Sequence, residues 1–290
     1  MSLRHLGLVL VIMVIWGLNY PVAKIGAGVV PPMMMIALRF VLVGAVVLPF
    51  FAVPWAHMRR IFYLSITIGV FHFAPNFTGL KLVDSGVGAI LNQLSVPFSA
   101  ILAAIFFRDR LGWRRLLGMA LAFAGVAILV GEPKRPTDYF GVFLMTAAAL
   151  AWAVSLIQAK ALAGVHPLPL VGWMNLMAAP QLVALSLLLE DAPVEAALAM
   201  GWTGLWPILY MAVFVSIVSH GLWYMLLHRY PINVTTPFAL LTPVFGVLFG
   251  ILILDEIFTW FTLAGGLIAL AGVAIITVRR PAQALPPPER

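Results

Sequence analysis

Long runs of apolar residues, separated by short polar segments, make up most of this sequence. The runs are continuous rather than alternating, which indicates helices and argues against the strands of a membrane β-barrel. A helix of about 20 apolar residues spans the ~30 Å hydrocarbon core of a bilayer. On this scale the chain predicts ten transmembrane helices, at 5–26, 33–53, 59–80, 85–107, 112–131, 139–162, 167–189, 203–228, 232–253 and 257–278.

The composition is that of an integral membrane protein. Of the 290 residues, 63% are apolar and 9% are charged, and the mean hydropathy is +1.08. A soluble domain carries about 25% charged residues, so these values exclude a soluble core. The loops are too short for a soluble catalytic domain, and the absence of cysteine excludes disulfides and thiolate metal sites. The six histidines lack close ligand spacing in the membrane, so we expect neither a metal nor a cofactor.

The lysines and arginines predict the orientation, because cytoplasmic loops are enriched in positive charge. With the N-terminus in the cytoplasm, the inner side collects Arg4, Arg59, Arg60, Arg108, Arg110, Arg114, Arg115, Lys160, Arg229, Arg279, Arg280 and Arg290. The outer side collects Lys24, Lys81, Lys134 and Arg135, and Arg39 lies within the second helix. We therefore predict that both termini are cytoplasmic. The net charge of +7 then marks the inner face and does not indicate a nucleic-acid partner.

The two halves of the chain repeat the same residues at matching positions. The matches are Trp16 and Lys24 with Trp152 and Lys160, Leu94 and Pro97 with Leu240 and Pro243, and AGVAI at 124–128 with AGVAI at 271–275. Each copy holds five helices, and because five is odd, the second copy must be inverted relative to the first. The predicted organisation is a first repeat at 1–131, an external linker at 132–138, an inverted second repeat at 139–278 and a disordered cytoplasmic tail at 279–290.

Corresponding loops carry opposite charges, as opposite orientation requires. The loop between helices 4 and 5 carries Arg108 and Arg110, with Arg114 and Arg115 at the start of helix 5, whereas its counterpart between helices 9 and 10 carries Asp255 and Glu256. Inverted repeats around a midplane site are the architecture of alternating-access transporters. The sequence therefore predicts an all-α membrane protein of ten helices, arranged as two inverted five-helix repeats.

Several of these residues resemble the EamA-type repeat of the drug/metabolite transporter superfamily. They are Trp16-Gly17-x-Asn19-x-Pro21-x-x-Lys24, Arg39-Phe40, Leu94-x-x-Pro97 and an acidic residue that ends helix 4. The resemblance covers about residues 6–130 and 140–278, and it is strongest to the bacterial amino-acid exporters, including the aromatic amino-acid exporters. It implies a multi-pass protein of the bacterial inner membrane that exports small metabolites, in particular amino acids.

The chain departs from the family pattern in places. The second copy has Asn175 where the first has Arg39, and Ser155 where the first has Asn19. The small four-helix multidrug members of the superfamily depend on a Glu within helix 1, and here that helix contains no acid. Proton-driven export of cationic drugs by that route is therefore not expected.

Polar side chains within the spans are the candidates for a substrate site, because polar groups in hydrocarbon are costly and usually face a cavity or the bundle interior. The substrate-binding candidates are Trp16, Asn19, Tyr20, Arg39, His72, Asn76, Asn92, Ser95, Trp152, Ser155, His220 and Tyr224. His72 and His220 occupy matching positions in the two repeats, as Trp16 and Trp152 do. We therefore predict one central cavity that both halves line.

Each type of candidate has a structural alternative. An intramembrane histidine can serve as a hydrogen-bonding group between helices, and Trp or Tyr can act as an interfacial anchor. Serine hydroxyls often bond back to their own helix. Arg39 can extend towards the membrane surface or pair with Asp84, Asp255 or Glu256, in place of binding a substrate carboxylate.

The leading functional hypothesis is a transporter that exports amino acids by alternating access. Aromatic faces suit apolar side chains and cations, and amide and hydroxyl groups can bond either charged end of a zwitterion. The alternatives are export of drugs or nucleobase-like metabolites and, in a different class, an intramembrane enzyme or a receptor. The expected partners are the lipid bilayer and a small-molecule substrate; the oligomeric state is open and compatible with a monomer.

The acidic residues bear on energy coupling. All ten lie in loops, in tails or at helix ends, so none is placed to carry protons at the midplane. The mid-membrane groups that titrate near neutral pH are His72 and His220. This pattern favours facilitated diffusion down an outward gradient over proton-driven export.

Overall fold

The computed structural model describes every residue except 1, 108–111, 132–137, 161, 163, 231 and 278–290, and at 107, 224, 227, 228, 232, 233 and 236 it describes the backbone alone. Ten of the described helices are long and apolar enough to cross a membrane, which confirms the predicted number. They are α1 (Leu3–Ala27), α2 (Pro32–Phe50), α3 (Trp55–Leu82), α4 (Ser85–Phe106), α5 (Trp113–Val130), α6 (Tyr139–Lys160), α7 (Pro167–Leu189), α8 (Gly201–Trp223), α9 (Pro237–Leu254) and α10 (Trp260–Thr277).

The ninth span begins differently from its prediction. The sequence predicts one helix over 232–253, whereas the structure has a short helix at Ile232–Thr235 and a 3₁₀ segment at Thr236–Leu240 that opens α9. Pro237 has no N–H to donate and its ring crowds the preceding turn, so a regular α-helix does not continue through it. The predicted linker, apart from Asp138, and the predicted tail lie outside the described residues.

Two helices contain a π-helical segment at similar places in the two halves of the chain. α3 takes π-helical geometry at Ile66–Phe73, and α8 does so at Met211–Ser219. His72 lies within the first segment, and His220 directly follows the second. Single π-helical turns are rare and frequently occur at functional sites. No feature of the sequence predicted them.

Helices of the two halves interleave rather than forming two separate bundles. α1 packs against α9, where Gly17 leaves no room for a Cβ beside Phe245. α2 packs against α7, where a Cβ at Gly44 would lie 3.3 Å from that of Leu176. α3 and α4 pack against α6. Side chains from both halves therefore meet in the middle of the bundle.

The backbones of α5 and α10 approach each other closely at several glycines. Gly118 faces the carbonyl of Gly272 while Gly125 faces that of Gly265, so these helices cross antiparallel. A Cβ at Gly125 would lie 2.5 Å from the Gly265 carbonyl oxygen and 2.7 Å from the Ala269 Cα. Small residues permit such close packing in membranes, where van der Waals contact contributes to helix association.

We expect Gly125→Ala to destabilise the protein, because the added methyl group meets backbone atoms that cannot rotate away. Overpacking of this kind costs about 1–3 kcal/mol, and occasionally more. Thermal unfolding in detergent measures the loss. Gly221→Ala is the matched control, since no atom lies within 4 Å of its added Cβ, and its midpoint should stay level or rise slightly. Equal midpoints for the two variants would contradict the close crossing.

Candidate functional site

A cavity of about 270 Å³ lies where the two halves meet. Helices α1, α2, α3 and α4 line it from the first half, and α6, α8 and α9 line it from the second. The lining residues are Trp16, Asn19, Tyr20, Arg39, His72, Phe73, Asn76, Phe77, Leu80, Asn92, Ser95, Trp152, Val215, His220 and Thr242. The wall combines aromatic rings, amides, imidazoles and a guanidinium, and is therefore amphipathic.

Each of two tryptophans in the cavity packs on a histidine from the other half. The ring centroid of Trp152 on α6 lies 4.9 Å from that of His72 on α3. The centroid of Trp16 on α1 lies 5.5 Å from that of His220 on α8. Trp16 Nε1 also donates a hydrogen bond of 2.7 Å to Ser219 Oγ. The repeated residues thus form two similar pairs on the cavity wall.

Both histidines are held at Nδ1 by backbone carbonyl groups. His72 Nδ1 lies 2.9 Å from the carbonyl oxygen of Ala148 on α6. His220 Nδ1 lies 2.5 Å from the carbonyl oxygen of Val215, five residues earlier in the π-helical segment. A carbonyl oxygen can only accept, so Nδ1 carries the hydrogen in both rings. In a neutral ring, Nε2 is then an acceptor.

An amide chain joins three helices on one wall. Asn76 Nδ2 donates to Asn92 Oδ1 at 2.6 Å, and Asn92 Nδ2 donates to the Tyr20 hydroxyl oxygen at 3.2 Å. The Tyr20 hydroxyl hydrogen can still donate to a further group. Asn19 differs from these residues, because its Oδ1 is buried and has no hydrogen-bond partner within the described part of the chain.

Arg39 extends from α2 and contacts α8 of the other half. It is 5% exposed. Its Nε and Nη2 both donate to Ser216 Oγ, at 3.2 Å and 2.9 Å. Nη1 lies 4.0 Å from the Met211 sulfur, and the guanidinium carbon lies 5.5 Å from the centroid of the Phe73 ring. No Asp or Glu of the described residues forms an ion pair with Arg39.

Two of the predicted candidates are not placed in the lining. The Ser155 hydroxyl donates 2.7 Å to the carbonyl oxygen of Trp152 in its own helix, as serine often does. The side chain of Tyr224 lies outside the described residues. The other candidates line the cavity.

Five lining residues had not been predicted: Phe73, Phe77, Leu80, Val215 and Thr242. Four of them are apolar, and an apolar residue facing a cavity looks in sequence like one facing lipid. Helical spacing offered a signal for the two phenylalanines. Phe73 directly follows His72 and Phe77 directly follows Asn76, and these two polar candidates lie one helical turn apart.

At one end of the bundle, charged residues join the two halves. Glu256 follows α9, and its side chain is 9% exposed. Its carboxylate accepts from the N–H groups of Ser85 and Gly86 at 2.6 Å and 3.2 Å, and from the Ser85 hydroxyl at 2.9 Å. Lys24 Nζ lies 3.4 Å from Glu256 and 3.7 Å from Asp84. The carboxylate therefore satisfies N–H groups at the start of α4 and complements the helix dipole.

A second carboxylate binds the start of α2 in the same way. Glu190 follows α7 and accepts from the N–H groups of Met33 and Met34 at 2.8 Å and 3.2 Å. Both glutamates belong to the second half of the chain, and both contact helix starts of the first half. The lysine and arginine pattern predicts this end to be external. At the other end, His5 Nδ1 lies 2.7 Å from the Tyr230 hydroxyl, which is a hydrogen bond rather than an ion pair.

Comparison with known proteins finds similar chains over almost the whole length. The sequence model described as the EamA-like transporter family matches residues 4–131 and 139–278. Two curated proteins, each named "Probable amino-acid metabolite efflux pump", align over 284 residues, 95% of this chain and 95% of each relative. The protein of Salmonella typhimurium is 32% identical and that of Escherichia coli 30%. A solved crystal structure has a TM-score of 0.62 at 17% identity, covering 96% of this chain and 98% of that chain.

Proposed function

This chain belongs to the EamA-like transporter family, and from that premise we propose that it exports amino acids or closely related metabolites. The cavity between the halves opens alternately to the two sides of a bacterial inner membrane, and both termini are cytoplasmic. Two relatives named for amino-acid metabolite efflux support the choice of substrate class.

The chemistry and size of the cavity carry this proposal. A volume of about 270 Å³ lies just below the usual range of ligand pockets, which runs from ~300 to 1,000 Å³. Such a volume suits a metabolite of amino-acid size better than a bulky drug. The amides and the Tyr20 hydroxyl suit the charged ends of a zwitterion, and Trp16 and Trp152 suit an apolar or aromatic side chain.

The packing of equivalent helices supports the inverted arrangement of the repeats. α5 and α10 are the fifth helices of the two copies, and they cross antiparallel. α2 and α7 are the second helices, and there Gly44 lies near Leu176 while Gly172 lies near Leu48, which is also antiparallel. Inverted halves around a shared midplane site are typical of alternating-access transporters.

Counterflow in proteoliposomes tests the proposal. Vesicles that hold the purified protein are preloaded with one unlabelled compound, and uptake of its labelled form is followed for amino acids, nucleosides and cationic dyes. We expect saturable uptake of amino acids above that of protein-free vesicles. Saturable flux of nucleosides or dyes alone would favour the alternative substrates, and flux of no compound would contradict transport of these classes.

The same vesicles address energy coupling. No Asp or Glu of the described chain lies within the ten spans, so we expect counterflow to be independent of an imposed pH gradient. Uphill accumulation that a pH gradient drives and a protonophore abolishes would show proton coupling instead.

A further inference from the structure

Arg39 places a positive charge in the cavity wall without an opposite charge from the described residues. We propose that Arg39 binds the carboxylate of the exported substrate and that Asn19 Oδ1 accepts a hydrogen bond from the substrate's amino group. This inference rests on the proposed function. It narrows the substrates to molecules that carry an amine beside a carboxylate, which are α-amino acids.

Arg39 and Lys24 differ in how their charges are paired. Lys24, at the end of the bundle, lies beside the carboxylates of Asp84 and Glu256. Arg39 is buried deeper, and its described neighbours are a hydroxyl, an aromatic ring and a thioether. A charge buried in a medium of low dielectric constant is unfavourable unless it is paired. An anionic substrate in the cavity would supply the missing charge.

The N–H groups of the Arg39 guanidinium are only partly occupied within the described part of the chain. Arginine has five N–H donors in a planar fork. Ser216 Oγ accepts from Nε and Nη2, which occupies one edge of the fork. The Ser216 hydroxyl itself donates to the Met211 carbonyl, which directs its lone pairs towards Arg39. The edge formed by Nη1 and the second hydrogen of Nη2 is left with a sulfur at 4.0 Å. Two parallel N–H groups on such an edge match the two oxygens of a carboxylate.

Asn19 offers a hydrogen-bond acceptor at a depth similar to that of Arg39. Asn19 lies eight residues before the end of α1 at Ala27, and Arg39 lies seven residues after the start of α2 at Pro32. At a rise of 1.5 Å per residue, the two lie about 12 Å and about 10 Å below the same connection. Both line the cavity, and Asn19 Oδ1 has no partner among the described residues. A cation and an unsatisfied acceptor at similar depth match the two poles of an α-amino acid.

The second half does not repeat these two groups. Asn175 corresponds to Arg39 and Ser155 corresponds to Asn19, and neither belongs to the lining. Among the described residues, the lining of the cavity therefore carries one guanidinium, that of Arg39 on α2. A single amino acid would bind in one orientation, with its side chain towards the Trp and His pairs.

Competition against labelled phenylalanine counterflow tests the inference on the unaltered protein. We expect 3-phenylpropionate, which keeps the carboxylate but lacks the amine that Asn19 binds, to compete about tenfold less well than phenylalanine, because one charge-assisted hydrogen bond is lost. Phenylalaninamide, which lacks the carboxylate, should compete at least about 100-fold less well, because a site built around a polar group rejects an analogue without it. Equal competition by phenylalanine and its amide would overturn the inference.

Variants of Arg39 separate a binding role from a structural one. Arg39→Gln should abolish the preference for phenylalanine over its amide, whereas Arg39→Lys should keep the preference with weaker binding, since a lysine retains the charge but loses the fork. Arg59→Gln makes the same change at an exposed position, and its preference should equal that of the unaltered protein. If Arg39 had a structural role alone, Arg39→Gln would weaken the flux of phenylalanine and of phenylalaninamide in proportion. The ratio between the two compounds would then stay unchanged, which would count against the inference.

Thermal unfolding distinguishes failure of this inference from failure of the proposed function. Flux of phenylalanine and its amide with equal affinity would leave export standing and overturn the role of Arg39. If no amino acid is transported, the export proposal fails, and binding then decides the inference. Stabilisation of the purified protein by phenylalanine and, more weakly, by 3-phenylpropionate but not by phenylalaninamide, lost in Arg39→Gln, would support it. Stabilisation by none of these compounds, or by all equally, would overturn it.

Discussion

Cross-linking Lys24→Cys to Glu256→Cys is expected to stop transport completely and reversibly. These residues lie on different halves, and their side-chain ends are 3.4 Å apart at the end predicted to be external. We expect that opening the cavity to that side requires the end of α1 to move away from the residue that follows α9, which a covalent link prevents. A short bifunctional methanethiosulfonate reagent would form the link, and a reducing agent would release it. The measurement is phenylalanine counterflow before treatment, after treatment and after reduction.

The natural sequence makes this experiment specific, because it contains no cysteine. Each single variant treated with the same reagent controls for modification without a link. Lys24→Cys with Asp84→Cys is a matched pair within the first half, with the side-chain ends 3.7 Å apart, and its link should leave transport active. Full transport with the Lys24 to Glu256 link in place would reject alternating access by separation of α1 from the end of α9.

Replacing either cavity tryptophan by alanine is expected to lower the transport efficiency for phenylalanine by about tenfold or more. Truncating a well-packed aromatic anchor commonly weakens binding by about 2 kcal/mol, which exceeds a tenfold change. Trp152→Ala removes the ring beside His72, and Trp16→Ala removes the ring beside His220. The dependence of counterflow rate on phenylalanine concentration measures the effect.

A matched control separates loss of the site from loss of the fold. Trp202 is 68% exposed and does not line the cavity, so Trp202→Ala should transport normally. Yield in the membrane and the unfolding midpoint should be similar for the three variants, since the cavity rings are only partly buried. Normal transport by both Trp16→Ala and Trp152→Ala would count against this cavity as the substrate site.

The sequence by itself determined the membrane class and the ten spans. A bilayer requires about 20 consecutive apolar residues of helix, and this requirement can be read locally from composition. The repeat also made part of the cavity predictable, because Trp16 with Trp152 and His72 with His220 keep corresponding positions in the two copies. Their placement at one cavity was a prediction from spacing, and the structure brings their rings together in pairs.

Only the tertiary structure decided which groups these residues contact. Three acidic residues were the predicted alternative partners for Arg39, whereas its guanidinium bonds to Ser216, 177 positions away. Glu256 instead binds the start of α4 at Ser85, 171 positions away. Ser155 matches Asn19 by position but bonds within its own helix. The physical reason is that spacing along a helix defines a face but not the helix it meets or the height of contact. In a membrane protein both lipid and core favour apolar residues, so hydrophobicity alone does not distinguish a wall of the cavity from the outer surface.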